Sequence, residues 1–83
     1  MTVSPGTTLD MLYELLAEIG EPFDRQLDPK TTTLHQIGLD SLSMLELLML
    51  VDERRGIEVA VEQVKPDTTV TGLAELIDRQ QAA

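Results

Sequence analysis

His35, Asp40 and Ser41 lie within a few residues of one another and are the types that nucleophilic hydrolysis uses: base, orienter and hydroxyl. The surroundings argue against that use. No Gly-x-Ser-x-Gly elbow is present, the lone histidine precedes the serine by one loop turn, and an 83-residue chain offers little walled cleft for an oxyanion site. His35 therefore reads as a loop or surface residue. The spacing better suits a hydroxyl that carries an anion. Gly38-Leu39-Asp40-Ser41-Leu42 leads into the most apolar stretch of the chain, with Asp40 as the expected N-cap and Ser41 in the first helical turn. The first N–H groups of a helix lack internal partners and the helix dipole is positive there, so a negative group on Ser41 is stabilised. Serine and aspartate are common at helix starts for ordinary reasons. The approach through Ile37-Gly38-Leu39, with a small residue freeing the backbone, is not explained by residue type alone.

The elements that must position Ser41 are helical. Ser4-Pro5-Gly6 is a breaker, Thr7 or Thr8 is a candidate cap, and Leu9, Leu12, Tyr13, Leu16 and Ile19 recur at helical spacing until Gly20 and Pro22. From Glu21 to Asp40 the periodicity fails, leaving a long loop whose Phe23, Leu27, Leu34, Ile37 and Leu39 are expected to pin it to the core. Loops of that length in small domains are usually functional. The second helix is expected over 41–55, between Asp40 and a left-handed Gly56. A short third helix is expected over 61–65, ended by Pro66. Thr68 or Thr69 then caps a last helix with Val70, Leu73, Leu76 and Ile77 inward, fraying over Gln80-Gln81-Ala82-Ala83. The expected architecture is all-α: a small four-helix bundle in one domain, residues 1–83, with a long first loop and a short third helix.

Composition narrows the partners. Fifteen acidic residues against six basic give a net charge of −9, which repels nucleic acid and anionic membranes and favours partners with basic patches. With Tyr13 and Phe23 as the only aromatics, base-stacking platforms are lacking and the core must be aliphatic. Burial of roughly 60 to 65% of the unfolded surface is expected at this length. The absence of cysteine excludes disulfides and thiolate metal sites and fits a cytoplasmic setting. No spacing matches a calcium loop or a His-Glu-x-x-His zinc site. Neither a basic-then-apolar leader nor a run long enough to span a bilayer is evident.

At about 100° per residue, Met44, Leu47, Leu48 and Val51 form the inward stripe of the second helix. Leu42, Glu46, Met49 and Glu53 line up on the opposite side, apolar and acidic residues alternating. A partner-binding strip fits this pattern. So does a Leu-rich helix partly buried all round, with Leu45 and Leu50 filling the gaps.

The run Gly38-Leu39-Asp40-Ser41-Leu42, the helix after it, Ile57-Glu58-Val59 and Thr68-Thr69-Val70 together resemble the acyl carrier proteins over nearly the whole chain. That resemblance implies 4′-phosphopantetheine on Ser41, transferred from coenzyme A by a phosphopantetheinyl transferase that recognises Asp40. It implies that the chain is no enzyme and that the reactive thiol belongs to the arm, which suits a chain without cysteine. Leu42, Glu46, Met49, Asp52 and Glu53 match positions that contact partners in the family: an acyl- or aminoacyl-loading enzyme, then downstream synthases and transferases. Arg54 and Arg55 interrupt the acidic run of fatty-acid carriers, and Leu39 stands where peptidyl carriers show Gly-Gly-x-Ser or Gly-His-x-Ser. The first departure points away from fatty acid synthase and the second toward the acyl branch; with the chain length and initiating methionine, the expectation is a free-standing, monomeric carrier of a polyketide or related pathway. The rival reading is an unmodified acidic interaction module.

Overall fold

A proline opens the first helix. The structure, a computed structural model, describes residues 5–24 and 26–82, with the side chains of 8–24 and 26–80. Three α-helices, α1 (Pro5–Glu18), α2 (Ser41–Arg55) and α3 (Val70–Ala82), are joined by loops, with one 3-10 turn at Val61–Gln63. The expected four-helix bundle is thereby corrected to three α-helices and a single turn among the described residues. Ala60 and Val64 flank that turn in extended backbone, with ψ of 134° and 115°. Pro66 disfavours helical backbone at Lys65, so the turn has no room to grow.

Proline suits the first position of a helix because the N–H it lacks would have no helical partner. α1 therefore starts earlier than a Thr7 or Thr8 cap allows. Ser4 and the Thr7 side chain lie outside the described residues. Thr8 sits inside the helix, fully buried, and its hydroxyl donates to the Asp78 carboxylate of α3. The buried face of α1 is Met11, Leu12, Leu15 and Leu16, while Leu9, Tyr13 and Ile19 pack only partly against the core. It is wider than one periodic stripe because α1 packs against both other helices.

α2 has the expected boundaries. Gly56 ends it at φ +67°, its N–H donating to the Asp52 carbonyl at 2.7 Å. Met44, Leu47, Leu48 and Val51 are buried on the inward side. In α3, Val70, Leu73 and Ile77 are fully buried and Leu76 partly so. Thr69 caps α3 by accepting from the Gly72 N–H at 2.9 Å. The helix runs on through the residues expected to fray as far as Ala82, and Ala83 lies outside the described residues. None of the helices is long and apolar enough to cross a membrane.

The long loop is held in two ways. Phe23, Leu34 and Leu39 are buried, and the Phe23 ring stacks on Tyr13 with centroids 5.0 Å apart. Leu27, by contrast, is 43% exposed and pins nothing. The loop backbone is also stitched to the segment before α3. Leu34 N–H donates to the Thr68 carbonyl at 2.9 Å, His35 N–H to the Pro66 carbonyl at 3.2 Å, and Val70 N–H to the Thr32 carbonyl at 3.1 Å. An isolated antiparallel bridge pairs Thr33 with Thr69 in the same place.

Candidate functional site

Two features set the start of α2. Gly38 has φ of +90°, a conformation that residues with a Cβ rarely adopt, and its N–H donates to the His35 carbonyl at 3.0 Å. Asp40 is then in extended backbone and its Oδ1 accepts the Ser43 N–H at 2.8 Å. That bond, followed by the Ser43 hydroxyl, holds the Asp40 carboxyl below its ordinary value. Ser41 is the first residue of α2, exposed, and its hydroxyl makes no hydrogen bond among the described residues.

Beside Ser41 opens a cleft of about 380 Å³. Asp40, Ser41 and the buried Leu39 and Met44 form its near side. Val61, Val64 and Lys65 form the far side, with Pro66 and His35 adjoining. His35 is in the same cleft as Asp40 and Ser41, yet its side chain makes no hydrogen bond to either. The pair of hydrogen bonds that a triad requires is thus not formed. Among the described residues no group of three or more metal-ligating side chains gathers.

The outer side of α2 carries the expected strip. Leu42 is 66% exposed and Met49 57%, and Glu46, Asp52 and Glu53 are exposed around them. Leu45, a gap filler only under the alternative of a helix partly buried all round, is 47% exposed and belongs to the same surface. Its helical angle, only 60° from Leu42, is a signal that could have found it. Met49 borders two shallow grooves. One runs to the end of α1, with Glu18, Ile19, Glu46 and Glu53; the other runs to Glu58 and Val61, with Leu45 and Asp52. Lys65 had no such signal, since its place in the same cleft as Ser41 comes from tertiary packing.

Arg54 is not on this surface as a free cation. Its guanidinium reaches Glu18 at 2.8 Å and Glu14 at 3.7 Å, tying the end of α2 to α1.

Residues 14–77 match the protein family described as a phosphopantetheine attachment site. This chain belongs to the acyl carrier protein family. The carrier is 36% identical over 83 residues to an acyl carrier protein of Streptomyces coelicolor, covering 99% of this chain and 90% of that one. It is 28% identical over 79 residues to an acyl carrier protein of Thermobifida fusca, covering 95% and 100%. With acyl carrier protein AcpXL of Rhizobium meliloti it shares 30% identity over 56 residues, 68% of this chain and 59% of the relative. Against AcpXL proteins of that genus and of Brucella the carrier spans only 59 to 62% of their length. No solved structure matches it. Proteins of this family tether and do not catalyse, and their prosthetic group is 4′-phosphopantetheine. The residues at the start of α2 fit such a group. They offer an exposed hydroxyl with no partner among the described residues, a helix N-terminus suited to a phosphate, and a cleft with both apolar lining and one lysine.

Proposed function

We propose that Ser41 is the attachment point of 4′-phosphopantetheine, delivered from coenzyme A by a phosphopantetheinyl transferase, and that the protein carries acyl or aminoacyl groups between biosynthetic enzymes. The observation that supports this most is the state of Ser41: exposed, without a hydrogen-bond partner among the described residues, and one residue beyond a cap that defines the helix start. When bound, the arm supplies a thiol on which cargo is held as a thioester.

The chain's own residues then have three tasks. The N-terminus of α2 presents its positive end to the phosphodiester. Asp40 fixes where that end lies and offers the transferase a carboxylate beside the serine. Leu42 and Met49 give partner enzymes a small apolar anchor, while Glu46, Asp52 and Glu53 steer basic partners into a fast, weak and salt-sensitive encounter. Weak docking suits a carrier that must visit several enzymes in turn. The like charge of its copies favours a monomer, and the chain without cysteine fits the cytoplasm.

The pathway we favour is a polyketide or related one. The residues ahead of Ser41 lack the peptidyl-carrier pattern, and Arg55 interrupts the acidic run. Arg54 gives less support, because its pairing with α1 accounts for it without reference to partners.

The test is to incubate the unmodified protein with coenzyme A and a promiscuous transferase and to measure its mass. One arm per chain is expected, and none on Ser41→Ala. A gain that survives Ser41→Ala overturns the assignment. The exposed apolar strip also suits an unmodified interaction module, which requires that Ser41→Ala retain activity in the cell while Leu42→Ala or Glu46→Lys lose it.

A further inference from the structure

Charge around Ser41 departs from the rest of this acidic surface. Among the described residues, Lys65 is the lysine or arginine that lines the cleft beside Ser41. It makes no salt bridge among the described residues, whereas Arg54 is held by two glutamates. The exposed Lys65 side chain is carried on an anchored backbone. Its N–H donates to Thr68 Oγ1 at 3.1 Å, and its carbonyl accepts the Thr68 N–H at 3.0 Å. The neighbouring Pro66 and Thr68 carbonyls are bonded to His35 and Leu34, on the segment that leads into Asp40 and Ser41. The two sides of the cleft are thereby held in register.

Resting on the attachment at Ser41, we infer that Lys65 is a positioning residue: its ammonium faces the phosphodiester across the cleft and draws the near part of the arm into it. Asp40, next in sequence to Ser41, repels a phosphodiester, and the other charged side chain of the cleft is Lys65. An ammonium on a flexible four-carbon stem is a mobile point charge suited to a phosphate that must also be released. The apolar lining from Val61, Val64 and Met44 receives the parts of the arm that carry no charge. An enzyme that takes the arm into its own site must replace this one cation, so Lys65 sets how readily the arm leaves the carrier.

The experiment loads the full chain with the arm, confirms attachment by mass, and follows the side-chain carbon resonances of Lys65 and the phosphorus resonance by NMR. Loading is expected to move the Lys65 side-chain resonances, which stay put in Ser41→Ala treated alike. Lys65→Gln is expected to move the phosphorus resonance and raise the mobility of the arm. Lys65→Arg returns both toward the original, and Lys30→Gln changes neither. Lys65 is exposed, so unchanged circular dichroism of Lys65→Gln is expected as the folding control. A fully loaded protein in which Lys65 does not respond and the phosphorus signal ignores Lys65→Gln overturns this inference and leaves the attachment standing. A protein that gains no mass overturns the attachment, and this inference with it.

Discussion

Asp40 Oδ1 accepts the Ser43 N–H at 2.8 Å, so the carboxylate immediately ahead of Ser41 is committed to the helix that Ser41 begins. Helix geometry and the placement of the serine hydroxyl thus depend on one side chain.

The bond has a pH signature. The folded Asp40 carboxyl lies below its ordinary value, first through the Ser43 N–H and then through the Ser43 hydroxyl. A depressed folded value contributes stability in full above the unfolded carboxylate range and loses it as pH falls through the folded value. Thermal unfolding followed across that acidic range is expected to show a falling midpoint in the native protein. Asp40→Asn retains a cap but cannot ionise, so its midpoint falls less steeply; equal slopes overturn the assignment.

Neighbouring leucines of α2 are expected to behave oppositely. Leu48 is 5% exposed, and Leu48→Ala should destabilise by about 2 to 5 kcal/mol in denaturant titrations. Leu45, on the outer surface, should give a change within about 0.5 kcal/mol on Leu45→Ala, with loss of partner binding instead. Similar stability losses at both positions are incompatible with the helix orientation described.

Gly38→Ala is expected to destabilise by about 1 kcal/mol or more, since φ of +90° is strained for any residue with a Cβ. The added carbon would also approach Glu21 Oε2 at 3.2 Å, a contact a flexible carboxylate relieves. The strain should therefore persist in Glu21→Ala. If Gly38→Ala is harmless in that background, crowding and not backbone conformation is the cause.

Arg54→Ala should lower stability by only about 0 to 1 kcal/mol, because its pairs with Glu14 and Glu18 are open to solvent. Glu53→Lys, on the exposed strip, should slow association with a loading enzyme and flatten its salt dependence while leaving the melting temperature nearly unchanged. Stopped-flow association rates at two ionic strengths measure this. An unaltered rate removes Glu53 from the docking surface.

The boundaries of α2 were legible because both are local: an aspartate that caps and a glycine that turns left-handed. The Met44, Leu47, Leu48 and Val51 stripe was legible from periodicity for the same reason. α1 was misjudged at its start because Thr8, a plausible cap, is instead engaged by Asp78 seventy positions away. The short helix expected over 61–65 is a 3-10 turn at Val61–Gln63, because Val64 is already extended and Pro66 disfavours helical backbone at Lys65. Of the charged and hydroxyl residues that line the cleft, Ser41 and Asp40 stand out in the sequence and Lys65 does not. Its place beside the serine follows from hydrogen bonds joining residues 32–35 to 66–70, which no pattern within either segment reveals.

Those cross-chain hydrogen bonds also bear on how the cleft opens. The amides of Leu34, His35 and Val70 each close a long-range bond between the two segments, so they should exchange with solvent as one cooperative unit. Parting Pro66 and Thr68 from His35 and Leu34 by a backbone movement then means local unfolding of that junction. The exposed side chains of Val61 and Lys65 in the cleft rotate in nanoseconds or less with that junction intact.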